Sequence, residues 1–100
     1  MPAFLTTAFY HFVTIDDAKS LQACIQDYCD KKSLKGTILL AHEGINGTIS
    51  GKEENIKKFH DFIKNDQKFL NVFKRLEYKA SWSDKNPFYR MKVRLKKEIV

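Results

Sequence analysis

An α+β domain, with two helices laid on one face of an antiparallel sheet, is the fold the sequence predicts, and three observations carry it. Two stretches repeat apolar residues at helical spacing, Ala18-Leu21-Ile25-Tyr28 and Ile56-Phe59-Ile63. Short β-rich runs flank and separate them. The last of these runs alternates between apolar and cationic side chains, the period of a strand with two different faces. The chain has 100 residues, 43% hydrophobic and 13% aromatic, which suffices for one packed core and excludes wholesale disorder.

The elements follow in order. Residues 8–14 read as a first strand. Asp16-Asp17 then offers a cap and first-turn negative charge to a helix over 16–32, whose positive end is Lys31-Lys32. Residues 36–42 form a second strand, Glu43-Gly44 a turn, and 45–50 a third strand that returns as a hairpin. Gly44 and Gly47 flank Ile45-Asn46, where positive φ or a close backbone approach is expected. Ser50-Gly51 opens a second helix that ends at Asn65-Asp66 and turns Ile56, Phe59, His60 and Ile63 inward. Residues 72–80 suit a fourth strand, and 81–87 a polar loop with Trp82 and Pro87. Over 88–96, Met91, Val93 and Leu95 point one way and Arg90, Lys92, Arg94 and Lys96 the other. The order βαββαβ with an extra C-terminal strand is the ferredoxin-like, split-βαβ arrangement. Ile25, Ile38, Leu40, Ile49, Ile56, Phe59, Ile63, Val93 and Leu95 are the expected core.

Charge is unevenly placed. Residues 1–66 carry eight Lys against nine acidic residues, whereas 85–100 carry six basic residues against Glu98 alone, most of the chain's net +6. A basic segment so concentrated fits an anionic partner, nucleic acid first, or else a solvated strand face that guards a sheet edge. No apolar run approaches the roughly 18–20 residues of a membrane-spanning helix. Met1 to Thr7 has no basic residue ahead of its apolar stretch and so lacks a secretory pattern. Two cysteines do not make a disulfide framework, so a reducing cytoplasm is expected.

Catalytic chemistry is sparse. His42-Glu43 lacks the second His, one helical turn on, of a zinc-binding helix; Asn46 stands there and Gly44 would break the helix, so no metal site is predicted. Cys24 and Cys29, five apart on a helix, point about 140° from each other and are expected to be packing residues. The topology and Asn46-Gly-Thr-Ile-Ser-Gly51 look like acylphosphatases, but the loop Val13 to Asp17 has no arginine and two carboxylates that would repel phosphate. An RNA-recognition domain needs stacking aromatics on its third strand, and Ile45 to Ser50 has none. Tyr10, Phe12, Tyr78, Phe88 and Tyr89 could stack bases elsewhere, but core packing is expected for most of them.

Two segments say more than the topology. Leu40-Ala-His-Glu-Gly-Ile-Asn46 and Phe88-Tyr-Arg-Met-Lys-Val-Arg94 together resemble the N-terminal, acylphosphatase-like domain of the bacterial rhodanese-containing proteins that hydroxylate the wobble uridine of tRNA. Tyr10 and Asp66 to Phe69 suit the same family, and the resemblance covers residues 8–100. It implies a parent enzyme that uses molecular oxygen to form 5-hydroxyuridine, with its active-loop cysteine in a following rhodanese domain. This segment would then be an accessory domain that holds tRNA or docks the rhodanese domain, with no catalytic residue or cofactor of its own. The rivals are a pure protein-interaction module and a small acylphosphatase-type enzyme. The chain stops at Lys97-Glu98-Ile99-Val100, still β-like, which fits a longer protein. The expected RNA-binding or interface residues are His42, Glu43, Asn46, Arg90, Lys92, Arg94 and Lys96.

Overall fold

The computed structural model describes residues 3–99. Met1, Pro2 and Val100 lie outside the described residues. The elements run β1 (Phe4–Phe12), α1 (Ala18–Lys31), β2 (Lys35–Ala41), β3 (Gly44–Gly51), α2 (Glu53–Asn65), a 3₁₀ turn (Gln67–Phe69), β4 (Tyr78–Ser83) and β5 (Met91–Leu95). The five strands form one sheet in the order β4-β1-β3-β2-β5. Four of them pair antiparallel, as the ferredoxin-like reading requires, but β5 joins β2 in parallel, so the sheet is mixed.

Both helices lie on one face, and alternation along the strands decides what meets them. The row Tyr78, Phe9, Gly47, Ile38, Val93 runs across all five strands on that inner face. Phe9 packs against Phe59 of α2 with ring centroids 6.0 Å apart, and Tyr28 of α1 stacks on Phe62 of α2 at 4.0 Å. Gly47 is required here, because a Cβ would stand 2.8 Å from the Phe9 ring. Ile25, Ile38, Leu40, Ile49, Ile56, Phe59, Ile63 and Val93 are buried as expected. Leu95 is not: it sits at the end of an edge strand and remains 40% exposed.

Asp17 caps α1, its side chain accepting from the Ser20 N–H at 3.2 Å. The far edge of β5 is closed by α1 itself. Gln26 donates to the Met91 carbonyl at 3.2 Å and accepts from the Val93 N–H at 2.9 Å, while Gln22 donates to the Val93 carbonyl at 2.7 Å. Side-chain amides thus supply the donor and acceptor pattern of a missing neighbour strand.

Three strands depart most from the sequence reading. β1 begins at Phe4, because Leu5 and Thr7 continue the inward alternation. Residues 72–76 are not strand: Leu70 and Asn71 adopt left-handed φ of 48° and 62°, and a series of i→i+3 turns follows. Phe69, Phe73 and Leu76 enter the core from these turns, so their spacing is helical rather than alternating. β4 therefore starts at Tyr78 and takes in Trp82, which pairs across from Leu5. β5 is shorter than 88–96, because Asn86 caps the turn before it through the Phe88 N–H at 3.0 Å.

Candidate functional site

The β2–β3 hairpin brings His42, Glu43 and Asn46 to one end of the sheet, as the sequence predicts, and each is engaged. His42 Nδ1–H donates to the Ile15 carbonyl at 2.9 Å, and the His42 carbonyl accepts from the Ile15 N–H at 2.8 Å. The Glu43 carbonyl accepts from Val13 N–H at 3.0 Å. The hairpin thereby uses two amides of the β1–α1 loop, the loop that would have to cradle a phosphate in an acylphosphatase-type site. Glu43 Oε1 accepts from the Ile99 N–H at 2.7 Å, and Asn46 Nδ2 donates to the Ile99 carbonyl at 3.3 Å. Gly44, at φ 152°, cannot be replaced without strain: a Cβ would lie 2.2 Å from the His11 carbonyl and 3.1 Å from Ile99 Cδ1. Nothing in the sequence pairs Glu43 and Asn46 with Ile99, more than fifty residues away.

The outer sheet face carries the charge. Lys92 and Arg94 occupy it from β5. Arg90 precedes the strand, its carbonyl accepting from Gly36 N–H, and Lys96 follows it, its N–H donating to Leu40. All four side chains are exposed. The only ion pairs among the described residues are Asp27–Lys31 and Glu53–Lys57, both within helices. The sequence reading overlooked Lys79, which lies on the same face at the opposite edge, across from Ala8. It also overlooked a simpler fact: the five strands contain Lys35, Lys79, Lys92 and Arg94 but no Asp or Glu, whereas the basic and acidic residues of the two helices balance.

Several aromatic residues are exposed, contrary to the core placement expected for most of them. Tyr10 and Phe12, alternate residues of β1 on the outer face, are 43% and 59% exposed, and their rings meet edge to face at 4.8 Å. Tyr89 is 94% exposed. Tyr78 is on the inner face, where one side of its ring stacks on His60 at 4.0 Å, yet it too remains 38% exposed. Two hollows of about 380 and 290 Å³ share Asn46, Gly47 and Thr48; Tyr10 and Lys79 line the first, Phe88 and Leu39 the second.

Neither cysteine has the surroundings of a nucleophile. Burial, with the nearby Asp30 charge, pushes the Cys29 thiol up to about 12, and Cys24 packs partly buried against the core. His60 is buried in α2, with Nε2 2.9 Å from Thr7 Oγ1 and Nδ1 without a partner. The Nε2–H tautomer, donating to Thr7, leaves no buried N–H orphaned.

A family model described as "UPF0176 acylphosphatase like domain" matches residues 4–99. A tRNA uridine(34) hydroxylase of Acaryochloris marina is 51% identical over all of this chain and 31% of its own length. One from Rhizobium leguminosarum is 48% identical over 97% of this chain and 30% of its own. The chain thus spans about a third of the curated relatives it matches. Among solved structures, the BLUF protein BlrB in its dark state superposes with a TM-score of 0.74 at 14% identity, covering 99% of this chain and 77% of that one. An acylphosphatase from Coxiella burnetii gives 0.53 at 9% identity, covering 92% of each. At these identities the likeness is one of fold alone.

Proposed function

This chain belongs to the UPF0176 acylphosphatase-like domain family, and we propose that it is the accessory, tRNA-holding domain of a cytoplasmic tRNA uridine hydroxylase. The parent forms 5-hydroxyuridine at the wobble position with molecular oxygen, and its catalytic cysteine belongs to a rhodanese domain outside these 100 residues. Within this segment the work is positional. The observation that carries the reading is the cationic outer edge: Lys92 and Arg94, extended by Arg90 and Lys96, are exposed with no ion-pair partner among the described residues. Alternate residues of a strand stand roughly 7 Å apart, close to the phosphate repeat of a nucleic-acid strand. Cations so spaced release condensed counterions when phosphates dock, which gives affinity without sequence preference. Selection of the uridine then falls to the catalytic domain, because phosphate contacts orient without specifying.

Fluorescence anisotropy with tRNA at several salt concentrations tests this. Binding should weaken steeply with salt, and Arg90→Ala with Arg94→Ala should weaken it further and flatten the slope by about one to two units. Unchanged binding by the double variant would sink the reading.

A second reading, a module that docks the rhodanese domain, draws on the grip of Glu43 and Asn46 on the Ile99 backbone. On that reading the hairpin end sets the direction in which the chain leaves the sheet. Glu43→Ala with Asn46→Ala would then lower hydroxylation by the full-length protein while leaving tRNA affinity of this segment intact.

A further inference from the structure

We infer that the outer sheet face is a stacking platform for unpaired bases, so that the segment prefers single-stranded RNA to duplex. The inference deepens the tRNA-holding reading and rests on it. The row Lys79, Ala8, Thr48, Thr37, Lys92 crosses all five strands of this face with a cation at each end. Four inter-strand gaps set those ends about 19 Å apart. Between them the floor is small and uncharged. The adjacent row, Tyr10, Asn46, Leu39, Arg94, puts an aromatic ring at one side and a cation at the other.

Tyr10 and Phe12 are what phosphate binding alone leaves unexplained. Their edge-to-face contact at 4.8 Å uses one ring face of the pair. Part of the remaining ring surface is open to water, with Tyr10 43% and Phe12 59% exposed, on a strand whose alternate residues build the core. Bases have π faces whatever their identity, and stacking on an aromatic side chain is sequence-tolerant. Duplex RNA keeps those faces inside its own stack and offers such a surface sugars, phosphates and base edges instead. Charge favours an RNA backbone as the occupant: on this face Lys79, Lys92 and Arg94 outnumber Glu77, which sits beside Tyr10 and Lys79 just before β4.

The 100-residue chain can be titrated with a ten-nucleotide oligouridine and with a ten-base-pair RNA duplex. The single strand should bind more tightly. Tyr10→Thr with Phe12→Thr, which keeps β-forming residues at both positions, should weaken oligouridine binding about tenfold with the salt slope and duplex affinity unchanged. Arg90→Ala with Arg94→Ala should do the reverse, flattening the slope and preserving the preference. In the parent chain the ring resonances of Tyr10 and Phe12 should shift on adding oligouridine, a readout independent of any variant's folding. Equal binding of single strand and duplex with a steep salt dependence, or unmoved ring resonances, overturns the stacking platform and leaves the phosphate reading standing. Failure to bind either RNA overturns both, as does a dimer of this chain that buries Tyr10 and Phe12 and excludes oligouridine.

Discussion

The two faces of the sheet are drawn from the same five strands and share no side chain. Toward the helices, alternate residues supply Leu5, Phe9, Ile38, Leu40, Ile45, Ile49 and Val93, all buried. Away from them, the intervening residues supply threonines, a pair of open aromatics and the cations of both edges. One face is fixed by packing, where volume and shape are constrained to a methylene. The other is free of that constraint, and what occupies it can answer to a partner. Period-two alternation thus separates core-building positions from solvent-facing ones at intervals of one residue.

That separation can be broken most sharply at Phe59 and Phe12. Phe59→Ala, at a fully buried ring, should cost about 3–5 kcal/mol in urea unfolding, whereas Phe12→Thr should stay within about 0.5 kcal/mol. Comparable losses at both sites would mean that the outer face is packed after all.

The buried side carries a titratable group, His60. Burial, with the Lys64 charge adding to it, lowers the His60 pKa from 6.5 to about 4. The folded state therefore binds fewer protons than the unfolded state between those values. Stability is whole above about pH 6.5 and falls as pH drops toward 4, by up to about 3 kcal/mol. Melting temperatures measured from pH 7 to 4 should decline, and Thr7→Val with His60→Phe should remove most of that dependence. An equally steep decline in the double variant would assign it to other groups.

A smaller effect concerns the boundary between the faces, where β5 meets α1. Gln26→Ala removes one donor and one acceptor from the strand edge. Because water can partly replace them, the expected loss is about 1–2 kcal/mol, with faster amide exchange at Val93. Protection at Val93 unchanged by the substitution would show that the glutamines do not hold the edge.

Much of this was legible in the sequence where one local pattern governed. Helical spacing located α1 and α2, and alternation placed Lys92 and Arg94 opposite Val93. The pattern failed where a residue answers to something distant. Phe73 and Leu76 plug the core from turns, Leu95 is left exposed by its edge position, and β5 pairs in parallel with a strand some fifty residues earlier. The motif around His42, Glu43 and Asn46 stood out, but its partners Ile15 and Ile99 are joined to it only by the fold. Residue type favours the core for most of the aromatics, but hydrophobicity alone does not choose between the two sides of a strand, and Tyr10 and Phe12 face outward.

The position of β1 bears on how the chain acquires its structure. This first strand is bonded on one side to β3 and on the other to β4, so Leu5 waits for both Gly51 and Trp82. Closing so long a loop costs entropy before its contacts return anything, and pairings of high sequence separation slow folding. Emerging from a ribosome, residues 4–51 can assemble β1, β3 and β2 as an early nucleus. Both outer strands must then be recruited from the last quarter of the chain, and the glutamines of α1 stay without their strand partners until Val93 arrives. The topology therefore predicts that the sheet assembles from its middle outward, with the cationic edge strand β5 among the last parts to pair.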